Sequence, residues 1–152
     1  MGGADTPPGR KAEFKMDKTF VTAGKAIITV SNGKGEHFTY QINKKEAQGS
    51  YPEAFFVNLL TGPDNTSDYS YLGILNAPTG EIRLTKASRA GDDAKSVKVI
   101  RWALSKIWKS EALPEGYTIN HDGRCGKCAR LLTTPDSVAR GIGPECAKQM
   151  AL

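Results

Sequence analysis

Three cysteines and a histidine stand in the last fifth of the chain with the spacing of a metal site. His121 and Cys125 read H-x3-C, Cys125 and Cys128 read C-x2-C, and Cys146 follows after seventeen residues. Four soft or borderline ligands of these types suit a tetrahedral Cys3His zinc site. The C-x2-C spacing lets two thiolates from one tight knuckle reach a single ion, and Gly123 and Gly126 supply the permissive backbone that such a knuckle uses. Pro144 follows Gly141-Ile142-Gly143, and a proline in the first helical turn is pre-organised, so Cys146 should project from a helix N-terminus. A knuckle followed by a helix-borne ligand is the layout of a treble-clef-like zinc module. Asp122 competes for the fourth position, and His37 is a more distant candidate. Four protein ligands close a site and make it structural, with Zn2+ as the only expected cofactor. The deaminase pattern H-x-E…P-C-x-x-C and the metalloprotease pattern H-E-x-x-H are both missing. No nucleophile–base pair, phosphate loop or carboxylate pair stands out, so no enzymatic activity and no small-molecule substrate are expected.

Thr134 before Pro135 reads as the cap of a short helical turn. Leu131, Leu132, Val138 and Ile142 would form a small core around the ion. Arg124, Lys127, Arg130, Arg140 and Lys148 decorate it, placed either to grip phosphates or to balance a three-thiolate centre. The run Cys125-Gly-Lys-Cys128-Ala-Arg130-Leu, Pro135-Asp-Ser137-Val138 and Gly141-Ile-Gly143-Pro144-Glu-Cys146-Ala147 resembles a family of small proteins and C-terminal modules found in phages, prophages and actinobacterial genomes. The resemblance covers about a fifth of the chain. It implies zinc binding and a mobile-element origin, and it implies no particular activity.

The charge is unevenly placed. Of 152 residues, 21 are Lys or Arg and 16 are Asp or Glu, a formal +5. Residues 1–93 hold 11 basic and 11 acidic side chains, whereas residues 94–152 hold 10 basic and 5 acidic, so the excess belongs to the C-terminal part. Such a skew points to an anionic partner, nucleic acid being the commonest. No run approaches the ~18 apolar residues of a membrane span. Residues 1–8 lack the apolar stretch of a signal peptide, so a cytoplasmic location in a host cell is expected. Three cysteines, all after residue 124, do not make a disulfide framework.

The elements that must position these groups read as α+β. Residues 1–14 are Gly/Pro-rich and suggest a flexible arm. Residues 15–113 predict an antiparallel β-meander of four to five strands packed on one amphipathic helix, and residues 114–152 the zinc module. Lys25–Ser31 and Glu36–Asn43 flank Asn32-Gly33, whose type favours a hairpin turn. Ala54–Leu60 is a short apolar strand, and residues 61–65 make a turn. In Ser67–Leu75, alternation puts Tyr69, Tyr71 and Leu75 on one face and Leu72 and Ile74 on the other. Glu81–Thr85 is the last strand, with Ile82 and Leu84 inward. The helix should span residues 94–111, capped by Asp92 or Asp93, with Val97, Ile100, Leu104, Ile107 and Trp108 as its apolar stripe. Lys95, Lys98, Lys106 and Lys109 lie opposite, and Trp102 falls among them.

Aromatic side chains beside cations are what single-strand binders use. The sequence therefore predicts a non-catalytic nucleic-acid-binding accessory protein of phage or mobile-element type. Lys98, Trp102, Lys106, Lys109, Arg124, Lys127, Arg130 and Arg140 are its candidate contacts, all on one side. The alternative partner is a protein, in an inhibitor of a host nucleic-acid enzyme or defence complex of the anti-CRISPR kind.

Overall fold

A computed structural model describes residues 16–64, 67–121 and 123–151. The expected arm at 1–14, Asn65 of the expected turn and Asp122 lie outside the described residues. Five strands follow in chain order and in spatial order, each antiparallel to the next: β1 (Lys25–Ser31), β2 (His37–Lys45), β3 (Ala54–Leu60), β4 (Tyr69–Asn76) and β5 (Glu81–Arg83). The β1–β2 hairpin pairs Ser31 with His37 across residues 32–36, and Gly33 takes the positive φ of 76° its turn requires. The Asn32 side chain holds that turn by accepting from the Lys34 and Glu36 amides and donating to the Glu36 carboxylate.

The sheet has six strands, not four or five. β6 (Thr118–His121) crosses back to the free side of β1, with Ser31 opposite Thr118 and Ile28 opposite His121. The strand is four residues long with one buried apolar side chain, Ile119, so it carries almost no alternation for a pattern to detect. The connection from residues 109 to 117 contains the expected boundary at 113/114, and the residues beyond it share the main core.

The helix α2 (Lys95–Trp108) is shorter than expected and lies against the sheet. Its N-cap is Ala94, which makes no side-chain cap hydrogen bond; Asp92 instead pairs with Arg101 at 2.6 Å. Val97, Ile100, Ala103, Leu104 and Ile107 are buried against Ala26, Ile28, Val30, Tyr40, Ile42, Val57 and Leu72. Trp108 is half-buried; its indole N–H donates to the Ala77 carbonyl at 2.7 Å. Tyr40, fully buried, donates its hydroxyl to the Ser96 carbonyl at 2.7 Å, satisfying a polar group that burial would otherwise leave costly.

Alternation fails within β4. Val57 pairs with Gly73 but Asn58 pairs with Tyr71, so the register shifts by one residue. Leu72 and Leu75 are both buried, while Tyr71 and Ile74 are half-buried, which separates Leu75 from the tyrosine face to which strict alternation assigns it. A β-bulge of this kind puts two residues opposite one. Gly73, beside the bulge, lets β5 approach closely, since a Cβ there would stand 2.8 Å from Ile82 Cγ2 and 2.9 Å from the Arg83 carbonyl. Tyr71 packs edge-on against Phe56 and bonds Thr85 through its hydroxyl, so it belongs to a cross-strand cluster. No helix among the described residues is long and apolar enough to cross a membrane.

Candidate metal centre and basic groove

The knuckle is built by short-range backbone bonds. The Cys125 amide donates to the Arg130 carbonyl, the Ala129 amide to the Cys125 carbonyl and the Leu132 amide to the Gly123 carbonyl. Arg124 bridges Leu131 across the loop. Gly123 has a φ of 78°, as the turn needs, and Ala129 takes 66° without being glycine. Gly126 has no such φ; its missing side chain leaves room for Phe20 of α1 (Lys18–Val21) instead. After the knuckle come α3 (Pro135–Arg140), opened by a capping box between Thr134 and Ser137 and closed by Gly141 with a φ of 78°, and α4 (Pro144–Gln149). Cys146 stands in the first turn of α4, as the proline before it predicts. Of the expected small core, Ile142 is buried and Leu132 and Val138 are half-buried, but Leu131 is 60% exposed. Leu131 pairs its backbone across the knuckle loop, and its side chain lines the open cavity beside the thiols.

The sulfurs of Cys125, Cys128 and Cys146 all lie within 4.8 Å of one another, the separation of ligands to a common ion. Burial works against a thiolate at Cys125, yet the amides of Gly143, Cys128 and Lys127 aimed at its sulfur outweigh that cost and hold the thiol below its ordinary range. The Lys127 amide reaches it at 3.4 Å. Cys146 goes the other way: burial first, then the neighbouring sulfurs of Cys128 and Cys125, push it up to about 12. Three thiols this close resist joint ionisation unless a cation is held among them, which is what a metal-binding donor set should show.

His121 does not join them. Its Nδ1 accepts from the Gly123 amide at 2.8 Å, which leaves the proton on Nε2 to donate to the Val138 carbonyl at 2.8 Å. Both ring nitrogens are thus engaged, and the ring ties β6 to α3 with Phe20 at a centroid distance of 5.8 Å. In this structure His121 ends a strand of the sheet, so the H-x3-C spacing does not bring its ring to the thiols. His37 is also apart from the thiols, at the far end of β1 and β2.

The eight basic and aromatic candidates are not gathered on one side. Lys98 and Trp102 line a groove of about 430 Å³ with Phe38, Val30 and Tyr117, beside the β1–β2 hairpin. Trp102 is half-buried, its ring centroid 5.2 Å from that of Tyr117. Lys106 pairs with Glu111 at 3.2 Å, and Lys109 stands at the end of α2 near the β4–β5 turn. Arg124 donates to the Ala129 carbonyl and Arg140 to the Ile142 carbonyl, so both brace the backbone. Lys127 and Arg130 line a cavity beside the thiols with Lys25 and Lys44, at the opposite end of β1 from the groove, about 20 Å away along a strand rising ~3.3 Å per residue. Helical spacing and sequence proximity put these cations together; the return of the chain through β6 separates them. Tyr117, Phe38, Lys25 and Lys44 had no local signal, because each meets its neighbours only through long-range pairing.

An antiparallel sheet with one covering helix and a three-cysteine C-terminal knuckle is thus the class that fold and site define. Residues 119–151 match a family of unknown function (DUF6011), which covers the knuckle, α3 and α4. No curated protein and no solved structure matches the chain.

Proposed function

We propose that this protein is a zinc-stabilised, non-catalytic nucleic-acid-binding accessory protein of phage or mobile-element type. Cys125, Cys128 and Cys146 hold the zinc, which ties α4 to the knuckle in a treble-clef-like arrangement. Thiolates are ligands that zinc favours, and the amides directed at Cys125 favour its ionised form. The observation that carries the binding role is the pairing of Trp102 with Tyr117 in a groove whose rim bears Lys98, a lysine with no acidic partner among the described residues. Aromatic rings lining a groove beside a cation suit bases and phosphates.

The test is fluorescence anisotropy with labelled single- and double-stranded oligonucleotides over a salt series. Binding should weaken steeply as salt rises, because phosphate contacts release counterions. Absence of binding at low salt would overturn the role. A protein partner captured from nuclease-treated host lysate, with no oligonucleotide binding, would favour the inhibitor reading instead. Metal analysis after purification in zinc-containing buffer should return one zinc per chain.

A further inference from the structure

The groove has the chemistry of a slot for an unpaired base. Its walls are largely apolar and aromatic: Phe38 from β2, Val99 and Trp102 from α2, and Tyr117 at the entrance to β6. Its volume, about 430 Å³, lies in the range of small-ligand sites. Its rim is cationic. Lys95 and Lys98 line it from α2. Among the described residues Glu36 is the only acid lining the groove, and Lys95 pairs with it at 2.8 Å, which leaves Lys98 for an anion. A flat apolar body with negative charge at its edge complements this arrangement. A neutral peptide matches the walls but leaves the rim unanswered.

We propose that this groove stacks one base of single-stranded nucleic acid on Trp102 and holds the adjoining phosphate with Lys98. This rests on the nucleic-acid-binding reading above and names its substrate class. Duplex bases are already stacked on each other, so their ring faces are closed to Trp102. The Asn32 side-chain amide is engaged in holding the hairpin turn and the Ser31 hydroxyl accepts from the Gly33 amide, while His37 also lines the groove. Stacking on a ring face discriminates little between bases.

The experiment compares the full-length wild type, Trp102→Ala, Trp102→Phe and Lys98→Gln for binding to a fluorescein-labelled oligo-dT, a mixed-sequence single strand and the corresponding duplex. The wild type should prefer both single strands to the duplex. Trp102→Ala should lose roughly 5- to 150-fold on the single strands, as removal of one stacking platform does. Trp102→Phe should recover most of that loss, and Lys98→Gln should flatten the salt dependence by close to one phosphate contact. Circular dichroism controls for folding, and if Trp102→Ala is unfolded, the comparison of wild type with Trp102→Phe and Lys98→Gln carries the test. Equal affinity for duplex and single strand, or unchanged affinity in the folded Trp102 and Lys98 variants while oligonucleotides still bind, would overturn the slot but leave the general reading standing. No binding of any oligonucleotide would overturn both. A proline-rich peptide that binds the groove and is lost in Trp102→Ala, with oligonucleotides unaffected, would reassign the groove to a peptide.

Discussion

Replacing Gly126 by alanine should unseat the knuckle from the sheet. Gly126 donates its amide to the Gly141 carbonyl at 2.9 Å, and its carbonyl accepts the Lys25 amide at 2.6 Å, so its backbone is fixed from both sides. An added Cβ would lie 2.7 and 2.8 Å from two carbons of the Phe20 ring and 3.2 Å from the Phe20 carbonyl. Carbon atoms rest at about 3.5–4.0 Å, so the ring must retreat by roughly 1 Å. Phe20 is 2% exposed and has nowhere to go in a core packed at crystal density. Overpacking of this kind costs about 1–3 kcal/mol. In a chain of this size each kcal/mol lowers Tm by about 2–4 °C, so a fall of about 2–12 °C is expected. Urea titration and thermal scans of the zinc-loaded protein measure it. Phe20→Leu alone should destabilise by on the order of 1–3 kcal/mol. In the double variant the added methyl enters the space the ring vacates, so the two losses should fall short of their sum by at least about 0.5 kcal/mol. A single variant within 0.5 kcal/mol of wild type, or strict additivity in the double, would refute a knuckle seated on Phe20.

Three other outcomes follow from the geometry. His121→Ala should leave one zinc per chain but lower stability by about 1–3 kcal/mol, since it strands the Gly123 amide and the Val138 carbonyl; serine at Cys125, Cys128 or Cys146 should weaken zinc binding by more than the roughly 10–100-fold of an outer-sphere change. Metal analysis with urea titration separates the two, and zinc loss in His121→Ala would make it a ligand. Tyr40→Phe should cost about 0.5–1.5 kcal/mol by removing the bond to Ser96. Burial raises the Tyr40 phenol above its ordinary 10.0, so the folded state holds that proton more tightly than the unfolded chain. Its contribution is full below pH 10 and falls as the pH rises beyond it, and stability measured from pH 8 to 11 should fall less in Tyr40→Phe. Ala129→Gly should raise stability by up to about 1 kcal/mol, because it relieves a left-handed alanine at φ 66° against the added freedom of glycine when unfolded; a lower midpoint in urea would contradict this.

Where local chemistry decides, the sequence was a good guide. β1 and β3 run over the residues their β-branched and apolar composition indicates, and Thr134 caps α3 as its type suggests. The three cysteines meet because the knuckle and the proline-led helix are local devices. Long-range placement was not legible. β6 holds one buried apolar residue and gains its stability from β1, roughly ninety positions earlier in the chain. That pairing turns His121 toward Gly123 and Val138 and brings Tyr117 to Trp102, and neither result can be read from spacing. Asp92 has the type of a helix cap, but Arg101 engages it. The β4 bulge shifts the register against β3 by one residue, which no periodicity encodes.

The bond from the Lys25 amide to the Gly126 carbonyl has a bearing on aggregation. β6 covers β1 only from Ile28 to Ser31, and at Lys25 it is the knuckle that occupies the outward-facing hydrogen-bonding group. An uncovered strand margin is a template for pairing with another chain. The sheet's other margin, β5, is three residues long with exposed Glu81 and Arg83, which makes it a poor template. The knuckle is thus the shield on the more vulnerable side. On the zinc reading proposed above, stripping the metal would uncover the start of β1 and expose the chain to strand-to-strand self-association as well as to local loosening.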